Sequence, residues 1–175
     1  MVIVLFLNMV IHKTGINCGK ENTKINYDEV ISEKDNEYES IETNTSQNEE
    51  EVNWYIEIPA LSLRAPIQET VNLDVLNNNI GHFEETSKKE GNIGLAGHNR
   101  GFEKNYFREL NKLKKGEEIK YKYNEFEKTY LIKKIEIIKN TNWSYLENTR
   151  ENKITLITCI ENKPDLRLCI QGIQK

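Results

Sequence analysis

Three side chains in this sequence have types suited to acyl transfer, at positions where a backbone can bring them together. Cys159 closes the apolar run Ile154-Thr155-Leu156-Ile157-Thr158-Cys159, and Arg167 lies in the alternating segment Leu166-Arg167-Leu168-Cys169-Ile170. On residue type alone Cys159 is a packing residue, since free cysteine is among the most buried types. Its position at the end of a strand-like run, before a loop, shifts that balance. The intervening Glu161-Asn162-Lys163-Pro164-Asp165 has turn chemistry, so a hairpin sets Cys159 and Arg167 near opposite ends of one short loop. A permanent cation near a thiol lowers its pKa, and the thiolate is the nucleophile. Gly94-Leu95-Ala96-Gly97-His98-Asn99 reads as a second strand, ending in a histidine. Paired with a cysteine at another strand end, that histidine is a candidate acid/base partner. The set can attack a peptide carbonyl, move the leaving-group proton and stabilise an oxyanion.

The elements that must position these residues read as short strands. Tyr55 to Ile58 and Ser62 to Ile67 flank a Pro59 turn, and Val71 to Leu76 suggests a short helix with Asp74 in its first turn, stopped by Asn77-Asn78-Asn79. His82 falls in an expected loop before acidic residues, which ranks it below His98. Asn92 to His98 is the strand delivering the histidine. Its Gly94 and Gly97 mark close backbone approach. Tyr106 to Leu110 suggests one or two helical turns, and Lys114-Lys115-Gly116 a turn. Glu117 to Tyr123 alternates as a half-exposed strand. Lys128 to Lys139 reads as a long strand with a bulge, Thr141 to Asn152 as a loop with a helical turn, and Lys153 to Ile160 and Leu166 to Gln174 as the closing strands. Many short strands with brief helices predict a mainly β barrel or sandwich.

Gly97-His98-Asn99 and Thr155-Leu156-Ile157-Thr158-Cys159, with Arg167 downstream, resemble the signature set of sortases, the cysteine transpeptidases of Gram-positive surfaces. The resemblance runs from about Trp54 to the C-terminus. It includes Ile58 to Ile67, like the family's opening pair of strands, and Leu110 to Gly116 with the following strand, like its middle. The short loop between Cys159 and Arg167 is most similar to class D sortases of clostridia and bacilli. The resemblance implies an eight-stranded sortase-type β-barrel with short helices. It implies catalytic roles for His98, Cys159 and Arg167. It also implies cleavage of a Leu-Pro-x-Thr-Gly-like sorting signal between Thr and Gly, through a thioacyl intermediate, with transfer to an amine of a cell-wall precursor or pilin. Thr158 and Asn99 are the candidate substrate-binding residues. A cysteine hydrolase with the same dyad, or a non-catalytic wall-binding module, are the competing readings. The presence of all three residues counts against the module, and amine incorporation separates transferase from hydrolase. The chemistry needs no cofactor. The spacing of Glu84, Glu85 and Glu90 departs from the calcium loops of some sortases, so no required metal is expected.

The 175-residue chain has a formal net charge of −4, unevenly distributed. Residues 18–52 hold 11 acidic residues and 3 lysines, whereas 53–175 hold 17 acids and 20 bases. The slightly basic domain at 53–175 is long enough for one core. No feature points to nucleic acid. Residues 18–52 lack apolar periodicity and cannot offset their ordering entropy, so they read as an acidic disordered linker. Residues 1–17 begin with an apolar stub. A spanning helix needs about 20 such residues, so the stub reads as a truncated or marginal membrane anchor. Together with the resemblance to sortases, an anchor there implies the extracellular face of a Gram-positive cell membrane. Three cysteines, at 18, 159 and 169, make neither a metal spacing nor an even disulfide framework. Cys169, two residues past Arg167 on the same strand face, reads as packing, and a bridge from it to Cys159 would abolish the chemistry.

Overall fold

The computed structural model describes residues 53–175, and expectations for residues 1–52 lie outside them. Eight strands close into a barrel: β1 (Trp54–Ile58), β2 (Leu63–Glu69), β3 (Ile80–His82), β4 (Asn92–Ala96), β5 (Glu118–Tyr123), β6 (Phe126–Lys139), β7 (Lys153–Ile160) and β8 (Lys163–Gln174). Around the barrel the order is β1-β2-β3-β4-β7-β8-β6-β5, closed by pairing of β5 with β1. The pairs β2–β3 and β4–β7 are parallel and the rest antiparallel. Closure removes the unpaired edges that a sheet otherwise exposes.

Alternation decides which way each strand faces. Ile56, Ile58, Ile119, Tyr121, Tyr130, Ile132, Ile154, Leu156 and Ile170 fill the interior, with Phe107, Leu110 and Leu113 completing that cluster. A second apolar cluster contains Ile138, Ile157, Cys159 and Cys169 and is covered by Leu76, Phe83, Leu146 and Trp143. Strand β7 therefore contributes to both, Ile154 and Leu156 to one and Ile157 and Cys159 to the other. This two-sided burial explains why its sequence reads as a nearly continuous apolar run.

The short elements differ in part from expectation. The helix near residue 71 is one turn, α1 (Leu73–Leu76), whose N-cap Asn72 accepts from the Val75 N–H at 2.9 Å. His82 belongs to strand β3, not to a loop. It is fully buried, its Nδ1 2.7 Å from Glu69 Oε1 and its Nε2 3.1 Å from Thr86 Oγ1. Tyr106 to Leu110 forms turns, followed by a 3₁₀ turn at Leu110–Lys112. The hydrogen bond from Phe107 N to the His98 carbonyl at 3.0 Å draws this segment back onto the β4 exit instead of into a helix. The expected loop from Glu161 to Asp165 contracts to a turn at Glu161 and Asn162, with Ile160 paired to Lys163 and Asn162 at φ 56. The long strand β6 carries a register shift between Ile132 and Lys134, the irregularity expected within it.

Candidate active site

The parallel register of β4 and β7 runs from Asn92 beside Lys153 to Ala96 beside Ile157. Continuing it by two residues sets His98 alongside Cys159. On the other flank of β7, the antiparallel register sets Cys159 directly opposite Arg167. Strands β7 and β8 thus bring the cysteine and arginine face to face, and the segment leaving β4 brings the histidine to the same end of the barrel. His98 lies two residues beyond β4, so the ladder no longer fixes it. Specific hydrogen bonds do so instead. Gly97 N donates to Ile157 O at 3.4 Å, Thr158 Oγ1 donates to Gly97 O at 2.7 Å, and Asn99 Nδ2 donates to Cys159 O at 2.5 Å. The two residues expected to meet substrate, Thr158 and Asn99, therefore have side chains engaged in tying the histidine segment to the cysteine strand.

The Phe107 ring packs closely over position 97. A Cβ there would stand 3.0 Å from two ring atoms of Phe107. At Gly94 a Cβ would meet Leu146 at 2.8 Å and Thr86 at 2.9 Å. Both glycines mark close approach, Gly94 within β4 and Gly97 just past its end.

The His98 ring is 3 % exposed and stacks on Phe102, centroids 3.5 Å apart and planes at 6°. Its Nε2 is buried without a hydrogen-bond partner among the described residues. Burial holds the imidazole below the ordinary histidine pKa, because the charged form loses hydration. Arg167 is 7 % exposed. Between Cys159 and Ile160 the β7–β8 register slips, leaving Pro164 to Leu166 as extra residues on β8. Arg167 Nη1 donates to the carbonyls of Pro164 at 2.6 Å and Leu166 at 2.8 Å, so the irregularity that re-aims the strand also anchors its guanidinium. Burial pulls the arginine pKa down, and Asp165 opposes that.

Cys159 is disulfide-bonded in the structure, and Cys169 is a free, buried thiol. Nucleophilic chemistry at Cys159 accordingly belongs to the reduced protein. Burial pushes Cys169 up to about 12, which makes it a poor nucleophile at neutral pH and agrees with a packing position. Among the described residues no three His, Cys, Asp or Glu side chains converge as a metal site.

A buried polar rung below the site was not anticipated. Asn92 on β4, Thr155 on β7 and Gln171 on β8 are joined by Thr155 Oγ1 donating to Asn92 Oδ1 at 2.7 Å and Gln171 Nε2 donating to Thr155 Oγ1 at 3.0 Å. The Asn92 amide also donates to the carbonyls of Tyr145 at 2.8 Å and Glu147 at 3.0 Å. These bonds seat the 3₁₀ turn Trp143–Leu146 on the sheet. Trp143 then lines a small recess with Ile138, Ile157 and Arg167. The only sequence signal was a polar residue opening an otherwise apolar strand at Asn92.

Residues 56–173 match the model of the sortase domain family. The chain is 31% identical over 121 residues to sortase A of Bacillus anthracis, covering 69% of this chain and 58% of that protein. It thus spans well under two thirds of that relative's length. Among solved structures it is similar to a Clostridium perfringens sortase D5 transpeptidase, with TM-score 0.63 and 31% identity over 70% of this chain and 78% of that one. It is also similar to a pilus-related sortase C of Group B Streptococcus, with TM-score 0.66 and 25% identity over 72% and 68%.

Proposed function

This chain belongs to the sortase family, and we propose that it is a cysteine transpeptidase acting on surface proteins that carry a Leu-Pro-x-Thr-Gly-like signal. The observation that carries this reading is that Arg167 lies directly opposite Cys159 across the β7–β8 pair while hydrogen bonds from Thr158 and Asn99 tie the His98 segment, just past β4, to the same strand. In the reduced protein the Cys159 thiolate attacks the Thr carbonyl. The C–S bond forms, the C–N bond to Gly breaks, and the leaving amine takes its proton from the His98 imidazolium. An incoming amine then attacks the thioester. Its nitrogen forms the new C–N bond, the C–S electron pair returns to sulfur, and His98 takes the amine proton. Each proton transfer contributes typically ~10²- to 10⁴-fold. Arg167 holds fixed positive charge toward the carbonyl oxygen as it becomes an oxyanion. Asn99 and Thr158 contribute to substrate binding by fixing the backbone at the rim of the site, Asn99 through the Cys159 carbonyl and Thr158 through Gly97.

The place of action in this reading is the extracellular face of a Gram-positive cell membrane, held there by the N-terminal segment, with peptidoglycan precursor or pilin amines as acceptors. The test is incubation of reduced protein with a signal peptide, with and without an amine, followed by mass spectrometry. A thioacyl adduct on Cys159, absent from Cys159→Ala, and amine incorporated into product are expected. Adduct without incorporation would make the protein a hydrolase, and turnover by folded Cys159→Ala would sink the assignment.

A further inference from the structure

Two recesses flank β7 at the catalytic rung, and their chemistry differs. The first is the small one of about 50 Å³ between Trp143, Ile157 and Arg167. The second, of about 490 Å³, opens directly on Cys159 and is walled by Asn99, Arg100, Arg108 and Asn111 over an apolar floor of Phe107 and Leu168. A transfer enzyme presents one acyl carbon to two reactants in turn. With the acyl donor held against Arg167, the second recess is the open approach to the thioester.

The charges in that recess are not balanced. Its one carboxylate, Glu161, is bonded to Arg100 at 2.6 Å. Arg108 is exposed and makes no ion pair among the described residues. An alkylammonium alone would meet like charge on entering. A molecule that also carries a carboxylate would meet the planar donor fork of Arg108, which matches a carboxylate with two parallel N–H bonds. The Asn111 amide on the same wall is a further donor.

We propose that this recess is the acceptor subsite, and that it selects amines bearing a carboxylate a few bonds away, as in a diamino acid whose α-carboxylate is free. The inference rests on the transpeptidase reading. Arg108 binds the carboxylate, and the amine reaches the thioester carbon. There the C–N bond forms, the C–S pair returns to Cys159, and His98 takes the proton.

The experiment compares two acceptors that differ in one group, Nα-acetyl-lysine and Nα-acetyl-lysinamide. Reduced enzyme is acylated with signal peptide, and the rate of each aminolysis is measured in wild type, Arg108→Gln and Arg108→Glu. A charge-assisted hydrogen bond predicts a preference of about tenfold or more for the free carboxylate in wild type. That preference should fall toward parity in Arg108→Gln, reverse in Arg108→Glu, and shrink with added salt. Parity in wild type, or a preference that survives in both variants, overturns the proposal while leaving the transpeptidase reading standing. Failure to form the thioacyl adduct at all would overturn that reading and this one with it.

Discussion

Asn92→Ala tests whether the buried polar rung sets the geometry of the substrate face. The wild-type side chain is fully buried and makes three hydrogen bonds, two donated to Tyr145 O and Glu147 O and one accepted from Thr155. Removing it leaves those partners unequally placed. Tyr145 O keeps Gln171 Nε2 at 3.2 Å, and the Thr155 hydroxyl can turn to Tyr145 O, already 3.4 Å away. Glu147 O has no such substitute among the hydrogen bonds of the described residues. A buried group left unsatisfied costs about 1–3 kcal/mol, and each net hydrogen bond lost about 1 kcal/mol. A destabilisation of about 2–4 kcal/mol follows, a large part of the ~5–15 kcal/mol that holds a domain together. Because these bonds seat the turn carrying Trp143, KM for the signal peptide should rise more than kcat falls at temperatures where the variant is folded. Urea denaturation gives the stability change and steady-state kinetics the split. A midpoint within experimental error of wild type, at unchanged slope, would refute the accounting. An equal fall in kcat with KM unchanged would show that the rung supports the chemistry and not the binding face.

Arg167→Lys should lower the rate of thioacyl formation by about 10² to 10³ although the charge is kept, because lysine is a compact charge without the planar fork. Single-turnover rates within a few-fold of wild type would leave Arg167 as a plain electrostatic neighbour of the thiol. Cys169→Ala should retain most activity while losing about 1–2 kcal/mol of stability for a buried group removed; a folded but inactive protein would relocate the chemistry. Glu69 is partly buried, which raises its pKa, but hydrogen bonds with Lys88 and His82 outweigh that and hold it below the ordinary 4.5. Its folded-state value being lower, its stabilising contribution is complete above pH 4.5 and is lost as pH falls through the folded value. Glu69→Gln should therefore melt below wild type at pH 7, with the gap closing as pH falls below 4.5, and a gap independent of pH would contradict the assignment.

Strand β5 was legible because its burial alternates, as at Ile119 and Tyr121, and β7 because burial on both sides makes Ile154 to Cys159 a nearly continuous apolar run. The rung of His98, Cys159 and Arg167 was legible as types at strand ends, but their lateral order was not, since parallel pairing of β4 with β7 is a relation between segments about sixty residues apart. His82 was misplaced in a loop for a similar reason. The carboxylate that lets a histidine be fully buried, Glu69, lies thirteen residues earlier on another strand. The contraction of the loop after Cys159 depends on Arg167 satisfying carbonyls in the displaced segment, a tertiary bond that turn propensity does not encode. Tyr106 to Leu110 carried a helical pattern, and contacts to Gly97 and His98 overrode it.

The parallel pairing of β4 and β7 also governs when the site can exist. Such a pair cannot close as a hairpin, and here β5, β6 and the Trp143 turn are all threaded between the two strands. β7 must moreover be flanked by β8, which itself docks on β6. The contacts that bring the His98 segment to Cys159 thus join residues about sixty apart, the kind that form late because loop closure precedes their reward, whereas Cys159 and Arg167 meet locally in the β7–β8 hairpin. Partly folded chains could pair Cys159 with Arg167 while still holding it away from His98. On the proposed function, competence for acyl transfer would then arrive with closure of the barrel, so that a chain still folding carries the cysteine and its arginine but not yet the histidine beside them.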